Sequence, residues 1–228
     1  MKGLFLFMAL ILVGSVAYCE EIFFPSKVGT VLTYKIFDKK EKESSTVKYT
    51  IKELKTNGDN MDITYLCEST SPKNEPVFKE EITIHKKGDK IYFDMSNFIN
   101  KAAFQQSGDI KPDIKITGNN MEVPNNPKPG DVLPDANMEM AMNLGIINMK
   151  MSAQVVNRKV VALEDVTVKA GTFKCYKFSS DVNSSAMGIK TKSSNIDWYA
   201  KGIGVVRSES YDKNGKLQSH TELVEVQE

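Results

Sequence analysis

Alternation of apolar and polar residues constrains this chain more than any other feature. Val47-Lys48-Tyr49-Thr50-Ile51 alternates residue by residue, and Met61 to Tyr65 does the same after the turn Asn57-Gly58-Asp59. Side chains of a strand point to opposite faces in turn, so this pattern predicts half-buried strands, and Asn-Gly favours a tight hairpin between them. The chain is therefore predicted to be all-β (mainly β): a curved antiparallel sheet, barrel-like or a sandwich, with one short helix.

The same pattern divides most of the chain into strands. We predict strands at Val28–Phe37, Val47–Ile51, Met61–Cys67, Val77–His85, Lys90–Asp94, Asn137–Asn143, Ile147–Leu163, Glu164–Val168, Thr172–Ser179, Lys190–Tyr199, Gly204–Tyr211 and Lys216–Val226. The helix is expected to start at Ser96 and to end at Ser107-Gly108. Five prolines then crowd residues 108–135, so that segment is predicted to be a loop with short edge strands and a possible seam of the sheet.

The first nineteen residues resemble a secretory signal peptide. Lys2 precedes an uncharged apolar run from Leu4 to Ala17, which is shorter than the ~20 residues of a spanning helix. Cleavage is expected after Ala17 or Cys19, leaving residues 20–228 as a single exported β-rich domain. Acylation of Cys19 is disfavoured because the bulky Tyr18 precedes it. We expect the periplasm or cell envelope as its location and no transmembrane span in the mature chain.

Charge excludes several classes of partner. The formal net charge is +1, and residues 1–19 contain one lysine and no acid, so the mature chain is balanced. Phosphate binding and polybasic membrane anchoring both need a net basic face, so this balance argues against nucleic acid as a partner and against a polybasic membrane anchor.

Two cysteines remain in the mature chain, Cys67 and Cys175. In an oxidising compartment they could form a disulfide, worth up to ~4–5 kcal/mol in the chain-entropy model. The alternative is two separate buried thiols that act as small apolar groups. Sequence leaves both possibilities open, because it does not show whether the two β-carbons meet.

Five of the 11 methionines fall within fourteen residues at a spacing of two: Met138, Met140, Met142, Met149 and Met151. If the chain turns at Leu144-Gly145, the two groups share one face of a hairpin. Flexible thioethers suit an adaptable apolar ligand cavity, and they could also bind Cu(I), with Met138, Met140 and Met149 as the candidate ligands. An ordinary core that uses methionine is the simplest interpretation.

No motif identifies a reaction. The chain has no Gly-x-Ser-x-Gly elbow and no His-Glu-x-x-His, and its two histidines, His85 and His220, are expected to be exposed strand residues. A pair of carboxylates for hydrolysis is set by the fold, so Glu80-Glu81, Glu139 and Asp197 are candidates only as any acid would be. We therefore expect no enzyme activity, no catalytic residue and no cofactor.

Several segments resemble a known family. They are Val166–Tyr176, Trp198–Val206, Tyr211–Leu217 and Glu222–Val224, with Phe24-Pro25, Gly29, Tyr34 and Pro129–Asp135 nearer the start. This set is similar to a family of exported β-rich proteins of Bacteroides-type bacteria, labelled TapB-like or as a domain of unknown function. The resemblance implies an antiparallel β fold and a Gram-negative cell envelope, and it implies no catalytic residues.

Together these patterns predict a non-enzymatic envelope protein. Its expected partner is an apolar small molecule or lipid, or another envelope protein. The alternatives are a methionine-rich copper-binding protein and a carboxylate-dependent hydrolase.

Overall fold

Antiparallel strands make up nearly all of the described chain. The computed structural model describes residues 22–94, 96, 113–144 and 147–228. Its strands are β1 (Val31–Asp38), β2 (Glu43–Asn57), β3 (Asn60–Thr70), β4 (Pro76–Lys87), β5 (Lys90–Phe93), β6 (Asp113–Gly118), β7 (Met121–Pro124), β8 (Ala136–Leu144), β9 (Ile147–Val168), β10 (Gly171–Ala186), β11 (Ile189–Ala200), β12 (Gly204–Asp212) and β13 (Leu217–Gln227). The prediction of an all-β protein is confirmed.

The thirteen strands form one sheet in the order β6-β8-β9-β10-β11-β12-β13-β1-β2-β3-β4-β5-β7. The two outermost strands, β6 and β7, follow each other in the chain with only Asn119 and Asn120 between them. A sheet can bring its opposite edges to one short turn only by curling round on itself, so the fold is barrel-like. The short edge strands predicted within residues 108–135 are these two strands.

Side chains hold the edges together. Asn119 Nδ2 donates to Asp135 O at 3.0 Å, and its Oδ1 accepts from Asn137 N at 2.6 Å, which fixes the β6–β7 turn to the start of β8. Arg158 on β9 donates from Nη2 to Glu122 O on β7 at 2.8 Å and from Nη1 to Pro134 O at 2.6 Å. A guanidinium carries five donors in a rigid fork, so a single side chain can join both sides of this gap.

Sequence placed most strands correctly but misjudged their length in the second half. The predicted strands Ile147–Leu163 and Glu164–Val168 are one strand, β9, and β10 runs on from the predicted end at Ser179 to Ala186. The run Ser179 to Ser185 is too polar to resemble a buried strand, and its pairing with β9 and β11 supplies the order. The predicted helix lies outside the described residues, except Ser96. No helix in the described part of the chain has the length and apolar character needed to cross a bilayer.

Part of the barrel interior is filled by a cluster of buried apolar side chains. Ile63 and Ile84 pair across β3 and β4, and Ile91 pairs with Val123 across β5 and β7, with all four almost fully buried. Phe23, in the segment that precedes β1, inserts among them and belongs to the same cluster. These branched side chains at paired positions pack closely against one another in this cluster.

A second cluster lies under the tip of the β9–β10 hairpin. Val168 and Phe173 at this tip pack against the buried Trp198 and Val206. The backbone N–H of Ala170 also donates to Leu223 O at 3.4 Å, which ties the tip to β13. The tip thus covers an apolar area that would otherwise face water.

Both cysteines are buried free thiols, Cys67 on β3 and Cys175 on β10. They belong to different apolar clusters, so the possible disulfide is not formed and the separate-thiol alternative describes the structure. Burial raises the pKa of Cys67 to about 11 and that of Cys175 to about 12, because the thiolate loses hydration there.

Candidate ligand cavity

An apolar cavity of about 560 Å³ lies in the interior of the barrel beside this packed cluster. Its described wall comes from β1, β2, β3, β5, β7 and β9 to β13, and from the segment before β1. The apolar members of this wall are Phe24, Pro25, Leu32, Ile36, Val47, Ile51, Phe93, Met121, Ala153, Val155, Val182, Ile203 and Val205. The space lies within the size range of small-molecule pockets in proteins.

Four tyrosines line the cavity: Tyr34, Tyr49, Tyr65 and Tyr199. The rings of Tyr34 and Tyr49 meet edge to face at 5.3 Å, and those of Tyr49 and Tyr65 at 5.1 Å, as measured between centroids. Burial raises the pKa of all four phenols, since a phenolate would be poorly hydrated inside the barrel. The tyrosines therefore act as neutral, rigid wall groups.

One side of the wall is polar, where β10 to β13 run side by side. We call this the polar wall: Ser180, Asn195, Asp197, Ser208 and Thr221. Asp197 pairs with Ser208 across β11 and β12, and Ser208 pairs with Thr221 across β12 and β13, so these side chains form a lateral row. Asn195 lies two residues from Asp197 on the same strand and so projects to the same face.

Asp197 is the one charged residue on the described wall. Its Oδ1 accepts a hydrogen bond from Ser208 Oγ at 2.5 Å. Burial raises the pKa of the Asp197 carboxyl, and the Ser208 hydrogen bond and the charge of Arg158 act in the opposite direction. Its accessible surface therefore faces the cavity rather than bulk water.

Phe24, in the segment before β1, lines the cavity, and its neighbour Phe23 belongs to the packed cluster. Phe23 packs edge to face on Tyr199 at 5.9 Å, whereas the Phe24 ring reaches the wall and lies 5.5 Å from that of Phe93. The carbonyl of Phe23 lies so close to Gly204 that a Cβ there would be 3.0 Å from it, and Gly204 has a φ of +101°. Only glycine fits both the backbone conformation and the space.

Comparison with known proteins identifies the family. The model of the DUF3108-like family matches residues 27–223. The chain belongs to the DUF3108-like family. This confirms the resemblance to exported domains of unknown function at the level of the family, and the TapB-like label is not confirmed.

Two solved structures share the fold of this DUF3108-like chain. A candidate exported protein with a YmcC-like fold from Bacteroides fragilis aligns with a TM-score of 0.74 at 21% identity, covering 91% of this chain and 100% of the other. A candidate lipoprotein from Parabacteroides distasonis aligns with a TM-score of 0.75 at 24% identity, covering 91% and 99%. No curated protein matches the chain.

The five methionines singled out from the sequence of this DUF3108-like protein do share one face. Met140 pairs with Met151 and Met142 with Met149 across β8 and β9. Met138, Met140 and Met142 are buried, and Met138 and Met140 belong to a cluster against which Met121, a residue of the cavity wall, also packs. None of the five belongs to the described wall, so the methionine face adjoins the cavity instead of lining it.

The two histidines differ from each other. His85 is partly exposed, as expected, and its Nδ1 lies 2.6 Å from Asp62 Oδ1. The expectation for His220 is wrong, because this residue is only 5% exposed. It stacks on Phe37 with ring centroids 4.8 Å apart, and its Nε2 lies 3.6 Å from Glu41 Oε2. Its polar neighbours in sequence gave no indication that Phe37 of β1 covers the His220 ring.

Of the carboxylates considered as hydrolytic candidates, only Asp197 reaches the cavity wall. Glu81 and Glu139 are exposed, and Glu80 is half-buried on β4 opposite Cys67. The described wall thus brings no second acid to Asp197. The tyrosines and Asn195 were missed from sequence, where their alternate spacing along each strand was the available sign that they share the inner face.

Proposed function

We propose that this DUF3108-like protein is a non-enzymatic protein of the cell envelope that binds a hydrophobic or lipid-like ligand in the barrel cavity. The observation that supports this most strongly is the apolar cavity of about 560 Å³. Well-packed interiors rarely contain voids larger than a water molecule, so an unfilled space of this size needs a reason. A ligand that displaces water from aliphatic and aromatic walls would supply one.

The cavity wall also suits an amphiphilic ligand. Aliphatic and aromatic groups surround most of the space, and the polar wall occupies one side. A chain with a polar end could place its apolar part against Leu32, Tyr49 and Val155 while its head reaches Asp197 and Asn195. Sites for small molecules usually have this composition, with few polar groups in a mainly apolar lining.

A location in the envelope is supported by the apolar run at residues 4–17 and by the two structural neighbours, described as exported or as a lipoprotein. We expect cleavage after Ala17 or Cys19. The mass of the mature protein purified from its own envelope tests this, since acylation at Cys19 would add the mass of its acyl chains.

Native mass spectrometry with lipid extraction tests the binding function. Protein purified from its own envelope should carry an apolar molecule, and the delipidated protein should bind an environment-sensitive lipophilic dye. Val155→Trp should reduce dye binding at least tenfold, because an indole at this wall position fills part of the cavity. Val161→Trp is the matched control, since Val161 lies on the same strand but is 50% exposed.

Absence of any co-purified molecule together with absence of dye binding would contradict the proposal. Equal loss of dye binding in both variants would also contradict it, because the dye would then not be reporting on the cavity. Both variants must first show the thermal unfolding midpoint of a folded protein.

Soft-metal binding is the second candidate, and one observation favours it. Met140 and Met142 lie directly opposite Met151 and Met149, so four thioethers meet on one face. Titration of Cu(I) against a chelator should compare the wild type with the triple variant Met138→Leu/Met140→Leu/Met149→Leu. Leucine keeps the volume and removes the sulfur. Equal Cu(I) affinities of the two proteins would show that these methionines serve only to pack the core.

A further inference from the structure

We propose that the polar wall selects apolar ligands whose head group donates hydrogen bonds, such as an alcohol or an ammonium, over ligands with a carboxylate head. This inference rests on the proposed function, because it names the ligand class of the same cavity. It follows from the position of Asp197 among the wall groups.

Asp197 presents a carboxylate, a hydrogen-bond acceptor, to the cavity. No cation lies beside it on the described wall. Ser208 supplies a single donor, to Oδ1. The other carboxylate oxygen has no described hydrogen bond, and it is not among the buried atoms without a partner, so it is accessible from the cavity. A carboxylate has room for about four hydrogen bonds, so a donating head group can be added without displacing Ser208.

The nearest cation does not compensate for this. Arg158 approaches from β9, but its two terminal nitrogens donate to the carbonyls of Glu122 and Pro134, and Arg158 is not on the described wall. Tyr199, the other titratable neighbour, is a neutral phenol. A ligand head that reaches the described wall therefore meets Asp197 as its one charged group.

Asn195 adds a second polar group to the same face. It lies two residues from Asp197, about 6.5–7 Å along the strand between Cα atoms. Its Oδ1 is buried and has no hydrogen-bond partner in the described structure. A small rotation of this amide would bring its acceptor to a head group bound at Asp197, which relieves the cost of a buried unpaired oxygen.

The sign of the selectivity follows from charge. An alcohol or ammonium donates to the carboxylate, and hydrogen bonds to a charged acceptor are stronger than neutral ones. A fatty-acid carboxylate would place like charges together in a space of low dielectric constant, which is strongly unfavourable. Head group chemistry should thus change affinity although the apolar chain stays the same.

Three ligands that share a ten-carbon alkyl chain test the head-group preference: 1-decanol, decylamine and decanoate. Each is used to displace the lipophilic dye from the delipidated protein at neutral pH. In the wild type, decanol or decylamine should bind at least about tenfold more tightly than decanoate, the factor expected for one charge-assisted hydrogen bond. Decylamine binding much more tightly than decanol would identify a cationic head, and similar binding a neutral one. Either result supports the inference.

Asp197→Asn should reduce the preference to below about threefold, because the amide keeps the shape and loses the charge. Asp165→Asn is the control, an exposed acid on β9 that should retain the full preference. Decanoate binding as tightly as the other two in the wild type would overturn the inference while the proposed function stands. Failure of the dye and of all three ligands to bind would overturn the proposed function itself. The wild-type series decides even if Asp197→Asn does not fold.

Discussion

Replacing Phe23 with alanine should destabilise the protein by about 4 kcal/mol. Its side chain is only 1% exposed and meets three rings edge to face: Tyr176 at 5.6 Å, Tyr199 at 5.9 Å and Phe178 at 6.3 Å. Truncation of a buried phenylalanine costs about 3–5 kcal/mol, and each aromatic pair contributes about 0.5–1.5 kcal/mol beyond buried area. Because domains are stable by only about 5–15 kcal/mol, this is a large fraction of the total.

The position of Phe23 makes the expected loss informative. The residue precedes β1 and lies outside every ladder, so the sheet could form without it. Its segment is fixed by the bond from Gly202 N to Ile22 O at 2.6 Å and by the ring packing. A loss near 4 kcal/mol would show that this short segment is part of the cooperative core.

Urea unfolding of the chain from residue 20 measures the loss. Trp198, the one tryptophan of the sequence, is buried under the β9–β10 tip, so its fluorescence reports the unfolding of the sheet. Val28→Ala is the control: Val28 is 55% exposed and should cost less than about 0.5 kcal/mol. Phe23→Leu should fall between the two variants, because it retains apolar volume but loses the ring contacts.

A loss below about 1 kcal/mol for Phe23→Ala, with an unchanged denaturant slope, would refute the reasoning. It would mean that residues 22–25 do not close the barrel in solution. A change in the denaturant slope instead of the denaturant midpoint would indicate a change in the unfolded or native ensemble. It would contradict the interpretation that Phe23→Ala only removes packing from the core.

Three further predictions concern the wall, the thiols and the seam. Burial raises the pKa of Asp197, so the folded state binds this proton more tightly than the unfolded state does. The stability that this group contributes is therefore lost as the pH rises above the ordinary carboxyl range. In urea unfolding, the free energy of unfolding of Asp197→Asn relative to that of the wild type should be more favourable at pH 7 than at pH 3.5. Cys67 and Cys175 are buried with pKa values raised to about 11 and 12, so a thiol reagent at pH 8 should label them at the rate of unfolding, and immediate labelling without urea would contradict their burial. Gly118→Ala should cost about 1–3 kcal/mol more stability than Gly58→Ala, because a Cβ at Gly118 would overlap the backbone at the start of β8, whereas one at Gly58 meets nothing within 4 Å. Equal shifts of the thermal unfolding midpoint in the two variants would show that β6 and β8 approach each other less closely at Gly118 than described.

Local chemistry explains why so much of the sheet was predictable. Asn57-Gly58 and Asp212 to Gly215 mark hairpins because their residues tolerate the backbone of tight turns, and the structure places β2–β3 and β12–β13 around them. The shared face of the methionines followed from the same two-residue period once a turn was placed near Leu144. These inferences need only neighbours in sequence.

The cavity needs information that neighbours in sequence do not contain. Ladders between β1 and β13 and between β5 and β7 decide which faces meet inside the barrel. Bulges also alter the alternation: the shift between Trp198 and Tyr199 leaves Val206 without a partner on β11, so Val206 joins the cluster under the hairpin tip. Asp197 consequently resembled any other acid until its strand was placed.

The barrel contains a cavity because the number of strands sets the width of its interior, whereas the inward-facing side chains set how much of that interior is filled. Closing thirteen strands around one axis gives an interior wider than single side chains can span, whereas barrels of about eight strands are just filled by theirs. Part of the interior is filled by Phe23 and the isoleucines of β3 to β5. The cavity wall carries tyrosines held in place by neighbours, as Tyr34 is by its bond to Val205 O at 2.8 Å, and these cannot collapse inward without breaking such contacts. An apolar space that the described residues leave unfilled, with one carboxylate on its described wall, is thus a consequence of the architecture, and the head group that pairs with Asp197 is where its specificity would arise.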